Sequence, residues 1–391
     1  MKICYVVTKA GTIISFFLPQ LKYIASKGID VTVVCSDDER IRDALGSNIR
    51  FRAVKMPRGI SFGNSLRAVH ELTRVFREEC FDLIQYSTPN AALYASIAAM
   101  RAGCNIRNYH LMGLRYLGSN GIERKVLKQL EKEICRKSTS IECVSKSNME
   151  LGIREGLFKA DKAKVIWNGS SGGVDLDRFN YQKRQQWRTE IRRKLGYADK
   201  DFIYGFVGRI TRDKGVNELL EAYLKLKTDA KLILIGQIED KKSLDSNLIE
   251  EIKSNPNVQV HNSVPDIERY YAAIDVLVLP SYREGFGNVV IEAAAMGTPA
   301  IVSDIPGPTD AIARGHTALV VSPKNAKDLT EAMEQIRDLN PARMGEEAEQ
   351  FVKNKFDSKV LCEKIYERKL DLFLKQNGIT PNSADAMKGK K

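Results

Sequence analysis

No stretch of this 391-residue sequence reaches 18 uninterrupted apolar residues, so no segment is expected to span a membrane. The start, MKICYVVTKAG, runs directly into a strand-like segment with no apolar h-region and small-residue cleavage site behind it. A secretory signal is therefore not expected. The seven cysteines (Cys4, Cys35, Cys80, Cys104, Cys135, Cys143 and Cys362) are odd in number, scattered and never spaced C-x-x-C. Several lie in apolar runs, where cysteine acts as a small hydrophobe. This argues against a zinc site and fits a reducing cytoplasm. No G-x-G-x-x-G follows the runs at 2–8 or 202–209, which disfavours a dehydrogenase. RNP, KH and helix-turn-helix patterns are also missing, and the basic residues lack interleaved aromatic platforms.

What is present is an ordinary globular composition, 43% hydrophobic and 28% charged, on a chain too long for a single core. The net charge of +12 is uneven: +10 over residues 1–180, +5 over 181–200 and −3 over 201–391. A basic first half implies an anionic partner: nucleic acid, acidic lipid or a phosphorylated substrate. A merely soluble surface is the competing reading.

Apolar, β-branched runs at 2–8, 31–36, 82–86, 105–111, 139–145 and 163–167 alternate with helical patterns near 12–27, 63–79, 91–102, 121–137 and 146–157. Short buried strands separated by helices predict an α/β fold with parallel sheets covered on both faces. A Gly/Ser-rich stretch, NGSSGGVDLDRF, and a charged one follow. The strand pattern then restarts at 202–209, 231–236, 257–262, 275–281, 299–304 and 317–322. The expected division is a first doubly wound unit over 1–178, a linker over 179–200 and a second unit over 201–355. A C-terminal helix over 356–376, packing back on the first unit, and a disordered tail over 377–391 complete it.

Ligands of doubly wound folds bind where strands end and glycine turns feed helices. In GFVGRITRDKG (205–215), Arg209 and Lys214 flank such a turn. The pair suits a diphosphate, with arginine as a fork and lysine as a point charge. Solvated basic residues at a helix start are the plainer alternative, weakened because cations are unfavourable there without an anion. The second turn is SYREGFGNVVIEAAAMGTPAIVSDIPG (281–307), with Glu284 and Glu292 on either side of Gly-Phe-Gly. Backbone N–H groups at this helix start could hold a phosphate. Glu284 could accept from sugar hydroxyls, and Glu292, about one turn inside, from a ribose diol. A capping and a surface glutamate remain the alternative.

These segments, with SVPDIERYYAAIDVLVLPS and KVIWNGSSGGVDLDRF, resemble the family 4 retaining glycosyltransferases of the GT-B fold, over nearly the whole chain. The resemblance implies two Rossmann-like domains facing an interdomain cleft, a nucleotide-diphosphate sugar held by the second and an acceptor by the first. The resemblance implies no cofactor and no metal. By the resemblance, Arg209 and Lys214 bind the donor diphosphate, Glu284 contacts the donor sugar and Glu292 binds ribose. Phe286, Gly287 and Asn288 match the segment whose backbone approaches phosphates and sugar, and Val264 sits where the nucleobase is contacted. His110, ending the run NIRNYHL before Met112-Gly113-Leu114-Arg115, resembles the catalytic-site histidine of the H-G segment, with Leu111 and Met112 intervening. Gly11 resembles the glycine loop that lets acceptor and donor meet.

In GIERKVLKQLEKEICRK (121–137), Lys125, Lys128, Lys132 and Arg136 oppose an apolar face of Ile122, Val126, Leu127, Leu130 and Ile134. A basic amphipathic helix can lie on anionic lipid, so a peripheral position on the cytoplasmic membrane face is expected. The resemblance to capsule and O-antigen transferases implies a polyprenyl-diphosphate-linked saccharide acceptor and a UDP-sugar donor. The alternatives are a GT-B sugar-nucleotide 2-epimerase, which needs further acid/base groups near His110, and a basic nucleic-acid-binding protein.

Overall fold

The computed structural model describes residues 1–57, 62–239 and 244–379. The chain divides into two compact units, one formed by Met1–Gly172 together with the segment beginning at Ser358, the other by Gly173–Asp357. The first holds β1 (Lys2–Val6), β2 (Asp30–Cys35), β3 (Ile49–Ala53), β4 (Leu83–Tyr86), β5 (Ile106–Leu111), β6 (Ser140–Cys143) and β7 (Ala163–Val165). They form one parallel sheet in the order β3-β2-β1-β4-β5-β6-β7. The second holds β8 (Ile203–Val207), β9 (Lys231–Ile235), β10 (Val258–His261), β11 (Val276–Leu279), β12 (Ala300–Ser303) and β13 (Ala318–Val321). Its parallel order, β10-β9-β8-β11-β12-β13, repeats that of the first sheet over six strands. Every residue of β4, β6, β11 and β12 is buried, as expected of strands covered by helices on both faces.

Two elements depart from the sequence reading. Strand β3, IRFRA, lies at the sheet edge with Arg50 and Arg52 pointing to Glu79 at 2.8 and 2.6 Å. An edge strand needs no apolar run, so its charged alternation concealed it. The expected linker 179–200 instead contains the helix Arg184–Leu195, which packs on the helix Ile267–Ala273 of the second unit. Arg192 is its fully buried anchor. It donates to Asp275 Oδ2 (2.7 Å), to the Ala273 carbonyl (3.0 Å) and to the Asp199 and Asp201 carbonyls (2.8 and 2.9 Å). Asp275 also receives Arg188 (2.6 Å) and the Ile203 N–H (2.8 Å). A buried charge so completely bonded is tolerated where an unpaired one is not.

The helix Ser358–Gln376 sits on the helix Leu18–Ser26, and Leu361 and Ile365 join the same core as Leu21 and Ile24. Of the expected tail, residues 380–391 lie outside the described residues. No helix among the described residues is long and apolar enough to cross a membrane.

A buried carboxyl group lies behind β5. Glu131, on the helix Gly121–Lys137, is 4% exposed and accepts the Tyr109 hydroxyl at 2.7 Å. Burial lifts its carboxyl from 4.5 to about 7, against the opposing effect of the Tyr109 bond. The folded chain therefore holds a proton that the unfolded chain has released. Stability contributed by this group is full below about 4.5 and is lost as pH rises through about 7. Glu131→Gln, which keeps an acceptor for Tyr109, should remove that slope. Urea unfolding at pH 5 and pH 8 should show the variant gaining about 2–3 kcal/mol on wild type at the higher pH.

Candidate functional site

Strand order reverses between β8 and β11, and the loops leaving their carboxyl ends meet there. The loop after β8 makes a 3-10 turn at Arg212–Lys214 and reaches Gly215 at φ +70°. A Cβ on Gly215 would lie 2.0 Å from the Pro280 carbonyl oxygen, so only glycine allows the two loops to close. The Tyr282 N–H then donates to the Asp213 carbonyl at 2.9 Å.

This closure brings the two sequence motifs together. Lys214 Nζ is 2.5 Å from Glu284 Oε1, which also accepts the Ser281 hydroxyl at 2.8 Å. Arg209 Nη1 contacts Glu239 at 3.0 Å, and its Nη2 lies 3.9 Å from Asp213. Arg283 donates to Asp213 at 2.8 Å. Burial pushes the Asp213 carboxyl up, but the Thr211 hydroxyl, Arg283, Arg209 and Lys214 together hold it below the usual range. Asp213, Ser281 and Arg283 were not singled out from the sequence. All three flank residues that were, and the signal was their place in the same two turns. Three cations at one strand-end crevice, each on a carboxylate that a multivalent anion could replace, form a site suited to phosphate oxygens.

The rest of the second turn is built around its backbone. Gly307, at φ +106°, would place a Cβ 2.9 Å from the Gly285 carbonyl, which is why the Asp-Ile-Pro-Gly segment closes with glycine. Phe286 is buried edge-on against Phe356 at 5.3 Å. Gly287 caps the helix Asn288–Ala295, and Glu292 follows within it. Loss of solvent raises the Glu292 carboxyl, with the Tyr271 hydroxyl (3.0 Å) and Arg178 acting against the rise. Tyr271 stands on the helix Ile267–Ala273, which begins three residues after Val264. Arg178 binds Glu268 at 3.0 Å on that helix and the Pro265 carbonyl at 3.3 Å. Val264 and Glu292 are thus tied to one element of the second unit.

The first unit places its two predicted residues differently. Gly11 is exposed in the short turn Ala10–Thr12, where an added Cβ would meet nothing within 4 Å. Nothing among the described residues demands glycine there. His110 is 5% exposed, packs edge-on to Phe17 at 5.2 Å, and presents Nε2 to Ser171 Oγ at 3.5 Å. Its Nδ1 lies 4.0 Å from Glu142. Burial lowers its pKa to about 4, so the ring is neutral near pH 7. Glu142, itself buried, is bound by the buried Lys369 at 2.5 Å, and Lys369 also donates to Gln85 at 2.6 Å. At this sheet's own reversal, between β1 and β4, Thr8 and Thr88 hydroxyls meet at 2.9 Å. Thr88 has φ +67°, a costly conformation for a β-branched residue that no sequence pattern announces.

The family described as Glycosyltransferase Family 4 matches residues 20–178, and Glycosyl transferases group 1 matches 188–356. The chain is 30% identical over 381 residues to the capsular polysaccharide biosynthesis glycosyltransferase CapM of Staphylococcus aureus, covering 96% of this chain and 98% of that protein. This chain belongs to glycosyltransferase family 4. A second relative of the transferase is the UDP-Gal:alpha-D-GlcNAc-diphosphoundecaprenol alpha-1,3-galactosyltransferase of Escherichia coli. It is 25% identical over 299 residues, 74% of this chain and 75% of that one. Sucrose-phosphate synthase from Thermosynechococcus elongatus shares the fold at TM-score 0.78 and 19% identity, over 95% of this chain and 99% of that one. The two Rossmann-like units of the transferase are those of the GT-B fold.

The C-terminal helix of the transferase bears directly on the surroundings of His110. Lys369→Ala leaves the buried Glu142 with only Arg368, 3.8 Å away, as a cation and should cost about 3–5 kcal/mol. Removing both charges, in Lys369→Met with Glu142→Leu, should recover much of that loss. Urea unfolding of wild type, single and double variants measures the difference; a double variant no better than the single would reject the pairing.

Proposed function

We propose that the enzyme transfers a hexose or N-acetylhexosamine from a UDP-sugar to a polyprenyl-diphosphate-linked saccharide in surface-polysaccharide synthesis, with retention and without metal. The observation that carries this reading is the convergence of Arg209, Lys214 and Arg283 with Glu284 at the β8/β11 crevice. Donor and acceptor classes are supported by the E. coli relative, whose name states both, and the polysaccharide by the S. aureus one. The donor diphosphate takes over Lys214 and Arg209 from their carboxylates, freeing Glu284 to accept from the sugar hydroxyls. Glu292, held by the buried Tyr271 hydroxyl, faces the ribose, and backbone groups near Val264 face the base.

In the transfer itself, the bond from the anomeric carbon to the β-phosphate oxygen breaks while the bond to the acceptor oxygen forms on the same face. The departing phosphate oxygen takes the acceptor hydroxyl's proton. Arg209 and Lys214 stabilise the charge developing on that phosphate, the role a divalent cation would otherwise fill. Work at the cytoplasmic membrane face belongs to the same proposal, with Lys125 and Lys132 of the helix Gly121–Lys137 as its cationic support. Of the four cations assigned to that helix, Lys128 is engaged with Glu155 (2.7 Å) and Arg136 with Glu133 (2.9 Å).

Release of nucleoside diphosphate from a panel of sugar nucleotides, with and without a lipid-linked acceptor, tests the reaction. Turnover should require the acceptor and persist in excess EDTA; rescue by magnesium after EDTA inhibition would overturn the metal-free reading. Lys214→Ala should cost about 2–4 kcal/mol of transition-state stabilisation. Glu292→Ala should chiefly weaken nucleoside diphosphate binding, and Glu284→Ala chiefly turnover. Calorimetry beside the kinetics separates the two, and unchanged binding and rate in both variants would sink the assignment.

A further inference from the structure

A groove of about 580 Å³ opens on the first unit between the helices Phe62–Glu79, Pro89–Arg101 and Gly121–Lys137. Its volume is that of a site for one small ligand. Pro89, Leu93 and Ile97 line one side at helical spacing, over two turns or about 12 Å. Val126 and Leu130 line the other, and Leu66 the third. Val126 and Leu66 stay 43% and 56% exposed, and Ile122, one turn before Val126, 81%. An apolar stripe therefore continues out of the groove along a helix expected to bury it.

The groove has a direction. The helices Pro89–Arg101 and Gly121–Lys137 follow β4 and β5, so both begin at the carboxyl edge of the sheet, where ligands of this fold bind. At that end stands Arg115, which lines the groove, is exposed and makes no ion pair among the described residues. Glu123 lines the same end, while Lys125 beside it is also without an ion pair. The floor at the other end is apolar apart from Glu131, whose carboxylate is occupied by Tyr109. An apolar channel with an unpaired guanidinium at its ligand-binding end matches an amphiphile that has an anionic head and a hydrocarbon tail.

We infer that this groove holds the first isoprene units of the acceptor's polyprenyl chain, with Arg115 on the adjoining diphosphate. The inference rests on the lipid-linked acceptor proposed above. It favours the acceptor over a bilayer lipid because the head end of the groove coincides with the edge where the acceptor's sugar has to be presented. A bilayer lipid has no reason to place its headgroup there.

Farnesyl diphosphate, farnesol and inorganic diphosphate serve as binding probes in calorimetry, and phosphatidylglycerol vesicles as a sedimentation probe. Leu66→Glu and Val126→Glu alter exposed positions and should leave folding intact. Each should weaken farnesyl diphosphate about tenfold or more and leave inorganic diphosphate unchanged. Arg115→Gln should weaken farnesyl diphosphate but spare farnesol. Farnesyl diphosphate bound equally by wild type and both Glu variants overturns the inference. So does a loss confined to vesicle binding, which assigns the groove to bilayer lipid. Prenyl binding sensitive to the Glu variants, in an enzyme that transfers nothing to a prenyl-diphosphate sugar, keeps the groove and sinks the acceptor reading instead.

Discussion

The site in the second unit depends on how closely one backbone loop passes another. Gly215 lies against the Pro280 carbonyl with no room for a methyl group. That approach sets Lys214 against Glu284 and Arg283 against Asp213. Had the loops stood an ångström or two further apart, the same residues would be solvated ends on separate turns. The charges are held by long, mobile side chains, so their convergence follows from the backbone beneath them. Gly307 against the Gly285 carbonyl continues the same device one turn further along the chain.

Each unit also carries a buried cation, and the two are satisfied to different degrees. Arg192 spends its guanidinium on Asp275 and on four backbone carbonyls, and so welds a charged helix onto the second sheet. Lys369 meets Glu142 and Gln85, but among the described residues Glu142 Oε1, 3.8 Å from Arg368, and His110 Nδ1 have no hydrogen-bond partner. An ammonium has three donors and no fork, so it cannot spread over as many acceptors as a guanidinium. The result beneath His110 is a polar network that is only partly bonded. A fully bonded network such as the Arg192 cluster holds a single arrangement.

The legibility of the chain follows from what each feature needs. Strands β1, β2, β4 to β6, β8, β9, β11 and β12 are largely buried, which favours the apolar β-branched runs that mark them. Strand β3 sits at an edge and pairs Arg50 and Arg52 with Glu79, so its alternation looked like surface. The helix Arg184–Leu195 read as a linker because an inward arginine and an outward one are written with the same letter. Its role exists only once Asp275 is in place. Likewise the apolar residues of the helix Gly121–Lys137 were visible, but not that Ile122 and Val126 would remain uncovered.

By itself, then, the sequence determined the two parallel α/β units, the strand-end turns and the cationic and acidic residue types that stand on them. These depend on local periodicity and on short motifs, which survive without tertiary context. Only the tertiary structure decided that Arg283 and Asp213 belong with Arg209 and Lys214, that His110 is buried on Phe17 over a Glu142–Lys369 pair, and that a groove opens beside Arg115. Each of these joins residues distant along the chain, and the parallel crossovers that bring them together leave no mark in any local pattern.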